Sequence, residues 1–167
     1  MKKLLLIAAI ALFGMTAQAQ TEKGDMAAGI NLSMGTGDGL TNIGIGAKYQ
    51  WTIVNNFRLE PAFNYFLKKD YVSMWDLGVN AHYLFGLGDK FTIYPLAGLG
   101  VQGVKVSYDL GEWGLGGGSS DTKFGFNLGA GAEYMVSSAI SIGLEFKYKI
   151  VADWNRAVFS LGATYHF

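Results

Sequence analysis

The 167-residue sequence contains no cysteine, only two prolines and few charges. Without cysteine there is no disulfide scaffold, no thiolate metal site, no cysteine nucleophile and no lipid-bearing thiol. Charged residues make up 16% of the chain, against about a quarter in ordinary soluble domains. Thirteen basic and thirteen acidic residues cancel, so there is no basic footprint for nucleic acid. Beyond the N-terminal segment the 3.6-residue apolar period of a helix is missing, and no run of ten apolar residues occurs. What is plentiful is glycine, 24 residues, beside nine tyrosines, eleven phenylalanines and four tryptophans. Half the residues are apolar, too many for a disordered chain.

The first segment stands apart from the fold. Met1-Lys2-Lys3 is a positive start, Leu4 to Phe13 is apolar throughout, and Ala17-Gln18-Ala19 is an A-x-A cleavage site. This is the pattern of a secretory signal. Its apolar run is too short for the ~20 residues of a spanning helix. The expected domains are a cleaved leader over 1–19 and a single barrel domain over 20–167. Cleavage removes Lys2 and Lys3 and leaves eleven basic against thirteen acidic residues.

The remaining chain follows a period of two, the mark of strands. Ile140, Ile142, Leu144, Phe146, Tyr148 and Ile150 alternate with Ser141, Gly143, Glu145, Lys147 and Lys149. The same pattern runs over 124–134 and 75–85, and with small lapses over 26–34, 41–51, 57–67 and 157–167. In 91–108 the phase slips near Gly103, as a β-bulge would make it. That makes eight segments. Tight turns are expected at 52–56, 86–90 and 136–139, and longer connections at 35–40, 68–74, 110–122 and 151–156. An even number of ~10-residue strands joined by alternating short and longer connections is the pattern of an outer-membrane barrel.

The composition of the two faces sets the solvent. One face is rich in glycine and polar residues; the other carries bulky apolar side chains. An eight-stranded interior is narrow, so the glycine-rich face belongs inside and the apolar face outside. Aromatic residues gather near strand ends. Tyr49, Trp51, Phe57, Tyr83, Phe85, Phe91, Tyr134, Tyr165 and Phe167 fall at one rim. Tyr71, Trp75, Tyr108, Trp113, Tyr148 and Trp154 fall towards the other. Two interfacial girdles are expected from this placement. The opposing reading is a soluble, lipocalin-like carrier with the faces exchanged.

The last segment, Phe159-Ser160-Leu161-Gly162-Ala163-Thr164-Tyr165-His166-Phe167, resembles the C-terminal assembly signal of the small eight-stranded outer-membrane barrels of the OmpA, OmpX and opacity-protein type. Phe159, Leu161, Tyr165 and Phe167 carry that likeness, and Tyr94-Pro95-Leu96-Ala97-Gly98-Leu99-Gly100-Val101 is similar to a segment common in such barrels. The resemblance covers the whole chain after the leader. It implies an all-β, up-and-down transmembrane barrel in a bacterial outer membrane, with short periplasmic turns and longer extracellular loops. It also implies insertion by the barrel assembly machinery and contact with outer-membrane lipids and lipopolysaccharide.

The inward face supplies the candidate site. Pairing across 52–56 is expected to set Gln50 opposite Arg58 and Lys48 opposite Glu60. Pairing across 68–74 sets Glu60 opposite His82. Near the end of the chain Asn127, Lys147 and Ser160 are expected side by side, with Glu145 beside Gly129 and Gly162. Buried charges need partners, so Lys48, Arg58, Glu60, His82, Glu133, Glu145 and Lys147 are expected to form an interior polar network. The network reads as a plug; its alternative is a narrow conduction path or gate. His166 reads as a rim histidine in water.

No catalytic set, cofactor or metal site is expected. Asp38, Asp70, Asp109, Glu112, Asp121 and Asp153 are scattered over the outer connections, and hard cations bind oxygens of that kind. Gly98-Leu99-Gly100-Val101-Gln102-Gly103 fits G-x-G-x-x-G, but more strand follows it where a dinucleotide site needs a helix. Trp113 in the glycine-rich loop is the candidate for recognition at the surface, against an ordinary interfacial anchor. The expected role is structural, membrane-stabilising or adhesive. The alternatives are a narrow pore for small solutes and a secreted carrier.

Overall fold

The computed structural model describes residues 22–37, 39–69, 71–108, 117–152 and 154–167. The expected leader lies outside them. The strands are β1 (Met26–Gly37), β2 (Leu40–Val54), β3 (Phe57–Lys69), β4 (Val72–Tyr83), β5 (Phe85–Leu87), β6 (Phe91–Tyr108), β7 (Gly117–Met135), β8 (Ile140–Val151) and β9 (Arg156–His166). β4 and β5 flank Leu84 and both pair with β6, so together they make one stave of an eight-stave wall. Each strand is antiparallel to its neighbours, and β9 returns to pair with β1, Leu161 opposite Leu32. Closure leaves no sheet edge around the middle of the wall. The ladders pair backbone groups strand to strand without water, as hydrocarbon demands.

Side-chain parity follows the alternation in the sequence. Ile30 is 71% exposed and Leu144 is 62% exposed on the outer wall, while Asn31, Glu145 and their neighbours point inward. An apolar belt running round the whole molecule far exceeds the few hundred Å² that a water-soluble monomer exposes. Its faces are the reverse of a soluble barrel's. At the end where β1 begins and β9 ends, Tyr49, Trp51, Tyr83, Tyr134, Tyr165 and Phe167 face outward. Phe167 stands 6.3 Å from Tyr49 and 6.4 Å from Tyr165 between ring centroids. Tyr71 and Tyr148 lie exposed towards the opposite end; Trp113 lies outside the described residues.

Three expectations are corrected. The phase slip at Gly103 is absent, and β6 keeps one register with β4 and with β7. Val104 is buried in the lumen because apolar side chains also fill part of the inward face. The irregularities fall instead between Thr52 and Val54 and between Phe66 and Lys69. The strands also run further than the alternation suggested. The connections expected over 35–40 and 68–74 shrink to residues 38–39 and 70–71, with Gly39 at φ 77° and Tyr71 at φ 67°. β6 and β7, 18 and 19 residues long, form a hairpin that outruns β8. Pairing of β7 to β8 begins only at Gly125 opposite Val151.

The lumen holds large side chains where glycine faces them. Phe66 sits across from Gly44 and Tyr94 across from Gly131. A Cβ on either glycine would overlap the facing ring. With Leu84 and Leu96, Tyr94 forms a small apolar cluster inside the barrel. Replacing Gly131 with Val should force Tyr94 from its place. The expected cost is about 1–3 kcal/mol, measured as a lower urea midpoint for the folded protein in detergent.

Candidate functional site

The site lies inside the barrel, in the half nearer the start of β1 and the end of β9. Arg58 of β3 is its hub and is 3% exposed. Its Nη1 donates to Gln50 Oε1 on β2 and to Glu133 Oε2 on β7, both at 3.0 Å. Its Nη2 lies 3.3 Å from His82 Nδ1. The guanidinium stands 5.1 Å from the Tyr94 ring centre, and that ring stacks on His82 at 4.5 Å. Tyr94 donates to Glu145 Oε2 at 3.1 Å, and Lys147 Nζ holds Glu145 Oε1 at 2.7 Å. Lys48 Nζ lies 3.3 Å from Glu60 Oε2, which also accepts from Gln50 Nε2 at 2.8 Å. One connected set of ion pairs therefore spans the barrel from β2 to β8.

A second layer continues towards the opposite end. Asn64 Nδ2 donates to Asp76 Oδ1 at 2.9 Å, and Lys149 Nζ pairs with Asp76 Oδ2 at 2.7 Å. Asn127 donates to Asn80 at 3.0 Å, and Ser33 and Ser160 hydroxyls meet at 2.8 Å. Most of these groups are buried, so the pairs form where water does not compete.

The structure brings Lys48, Arg58, Glu60, His82, Glu133, Glu145 and Lys147 into this one interior, yet the expected strand registers are corrected. Arg58 lies opposite Thr52, and Lys48 lies opposite Ala62. His82 faces Arg58, while Glu60 faces Asn80. Lys147 is flanked by Gly129 and Val158, and Glu145 by Gly131 and Ser160. Each offset is two residues. A slip of two leaves every side chain on its own face, so face pattern cannot exclude it. Turn chemistry decides instead. Asn56 takes φ 64° in a tight turn, and the Ser137 hydroxyl accepts from the Ala139 and Ile140 amides to shape the turn at 136–139. Lys48 still reaches Glu60 because diagonal neighbours lie within range of long side chains.

His166 is also corrected. It is half-buried, with Nε2 at 2.9 Å from Ser141 Oγ and 3.2 Å from Glu133 Oε1. Ser141 donates to the same carboxylate at 2.6 Å. Glu133 thus joins the C-terminal strand to Arg58. Gln50, Tyr94, Ser141, Asp76 and Lys149 complete the network beyond the residues expected to form it. Inward parity marks them all; Tyr94, being aromatic on the strand with the least regular alternation, gave no polar sign of it.

Glu60, His82 and Glu145 offer three atoms within 4.8 Å of one another. Their surroundings oppose a cation. Lys48 sits on Glu60, Lys147 on Glu145 and Arg58 on His82, so positive heads already occupy the approach. The G-x-G-x-x-G stretch lies within strand β6. Among the loop acids, Asp121 is exposed, 3.9 Å from Lys123; Asp38, Asp70, Asp109, Glu112 and Asp153 lie outside the described residues.

A closed antiparallel wall, apolar outside and ionic within, defines a transmembrane β-barrel. Residues 5–167 match the family described as outer membrane protein beta-barrel domain, and the chain belongs to that family. It is a bacterial outer-membrane protein. A 22 kDa outer membrane protein of Rhizobium leguminosarum bv. viciae is 38% identical over 60 residues, 36% of this chain and 26% of that protein. The match therefore spans about a quarter of the relative's length. Among solved structures, neisserial surface protein A superposes with a TM-score of 0.68 at 17% identity, covering 86% of this chain and 96% of that one. Ail, the attachment invasion locus protein of Yersinia pestis, gives 0.61 at 21% identity, covering 87% and 99%. Ail has also been solved in complex with the heparin analogue sucrose octasulfate. At these identities the likeness concerns the fold.

Removing one partner of a buried pair leaves the other charged and alone, at about 3–5 kcal/mol. Arg58→Met should therefore destabilise the barrel by that order, and Glu133→Gln added to it should restore part of the loss. Urea titrations of the two single variants and the double variant in detergent give the coupling directly.

Proposed function

We propose that the protein is a structural, membrane-stabilising barrel whose lumen is sealed by its own ion pairs. The carrying observation is Arg58, which ties β2, β3, β4 and β7 together through Gln50, His82 and Glu133. A conduction path would need a continuous wet lane past these residues. Instead they meet at hydrogen-bond distance across the middle of a narrow barrel, and eight strands leave no porin-width channel. The wall faces lipid, and the turn end, where β1 begins and β9 ends, faces the periplasm. Residues 1–19 serve as the export leader, and 20–167 as the single barrel domain. No catalytic role is assigned.

An adhesive role is the second reading. The β6–β7 hairpin outruns its neighbours at the outer end, and Trp113 falls between these strands. The fold it shares with Ail, an attachment protein by name, agrees with that use. Lipopolysaccharide is the expected neighbour of the outer rim.

Phe167, outward and 66% exposed, fits a role as the terminal residue read by the barrel assembly machinery, with Phe159, Leu161 and Tyr165 on the same face. Phe167→Ala should lower the amount of protein reaching the outer membrane several-fold while leaving refolding in detergent unchanged. Immunoblots of fractionated envelopes alongside refolding yields test this; equal export sinks the assignment.

The sealed-lumen reading predicts a band that shifts on boiling in SDS gels of outer-membrane fractions. It also predicts no discrete conductance steps from the purified barrel in planar bilayers. Regular steps would replace it with the narrow-pore alternative.

A further inference from the structure

Among the described residues, the charges inside the barrel do not all form ion pairs. Five cations, Lys48, Arg58, Lys147, Lys149 and Arg156, lie inside with four carboxylates, Glu60, Asp76, Glu133 and Glu145. Among the described residues, Arg156 is the lumen cation that makes no ion pair. It opens β9 at the outer end and is 4% exposed. Asp76, the carboxylate of that layer, is held by Lys149 at 2.7 Å. The Arg156 guanidinium stacks on Phe66 at 4.3 Å, and Gly35 leaves the space it fills on its other side. Its Nη1 points at Met74 Sδ, 2.8 Å away, a weak acceptor. Buried with no ion pair to a described residue, the guanidinium is held in place by an aromatic ring and a glycine.

This guanidinium borders a cavity of about 350 Å³ in the outer half of the lumen. The cavity is also lined by Asn42, Met74, Gln102, Val104 and Trp154. Gln102 is 2% exposed, and among the described residues neither atom of its amide has a partner; Asn42 Oδ1 has none either. The walls thus offer a fixed cation, an unfilled amide donor and acceptor, and apolar surface from Val104, Met74 and Trp154. The volume is at the small end of the ~300–1,000 Å³ range of ligand sites.

We propose that this cavity binds a small organic anion, a carboxylate or phosphate monoester with a compact apolar body. The anionic group sits on Arg156, whose planar fork suits two oxygens at once. Gln102 and Asn42 bond its polar edge, and the apolar body lies against Val104 and Trp154. The network around Arg58 closes the lumen beneath, so the ligand enters and leaves at the outer face. This goes beyond the sealing role; only the route from the outer face rests on it.

The test uses the refolded full barrel in nanodiscs, with methionine methyls labelled with carbon-13. Benzoate and phenyl phosphate are the probes, and benzamide is the neutral control. The expected result is a saturable shift of the Met74 methyl with both anions and at least a tenfold weaker response to benzamide. Arg156→Gln should weaken anion binding at least tenfold while keeping the boiling-dependent gel shift, since it removes an unpaired charge. Gln102→Leu, which leaves Arg156 in place, should weaken binding about tenfold by loss of one charge-assisted hydrogen bond; it carries the test if Arg156→Gln does not refold. No saturable Met74 shift, equal response to benzamide, or unchanged affinity in the variants overturns the proposal.

Discussion

Everything in this molecule answers to one constraint: a polar group inside a hydrocarbon slab must find its partner within the protein. The backbone meets it by closing, β9 against β1, so that no strand is left with a bare edge at mid-wall. The side chains meet it by sorting. Apolar residues take the lipid face, and charges take the lumen, where each must then be neutralised. Arg58 would be intolerable alone in such a place; with Gln50, His82 and Glu133 around it, it becomes the tie between strands far apart in the chain.

Glycine makes that sorting possible. A narrow lumen cannot hold Phe66, Tyr94 and Arg156 beside ordinary side chains. Gly44, Gly131 and Gly35 clear the space each one fills. The abundance of glycine and of aromatic residues is thus one fact rather than two. Inside, glycine yields room to a few large groups; outside, the aromatic rings gather at the rim where lipid meets water.

Much of this was legible in the sequence because a strand's two faces appear directly as odd and even positions. Ile140 to Ile150 announces both the strand and its orientation. The register was not legible, since a two-residue slip preserves parity, and local details such as the backbone of Asn56 and the hydroxyl of Ser137 decide it. β6 misled for a different reason. Val104 and Val106 look like members of an outward face that has slipped by one, but the register holds and Val104 is buried inside. Tyr94 escaped for the same cause. Apolar residues on an inward face carry no sign of their direction, so the members of the network easiest to foresee were the charged ones. Arg156 is charged and on the inward face, but that it makes no ion pair among the described residues became visible only once Lys149 had been placed on Asp76.

The closing seam between β1 and β9 carries a consequence for how the barrel comes into being. Ala27 meets His166 and Thr36 meets Ala157, so the first strand waits for the last one to be synthesised and exported. Contacts of such long sequence separation form slowly, and until they form the chain exposes both an unpaired edge and its apolar belt. A barrel of this kind has no stable half. Until the eleven-residue β9 arrives, β1 has no partner on its second edge.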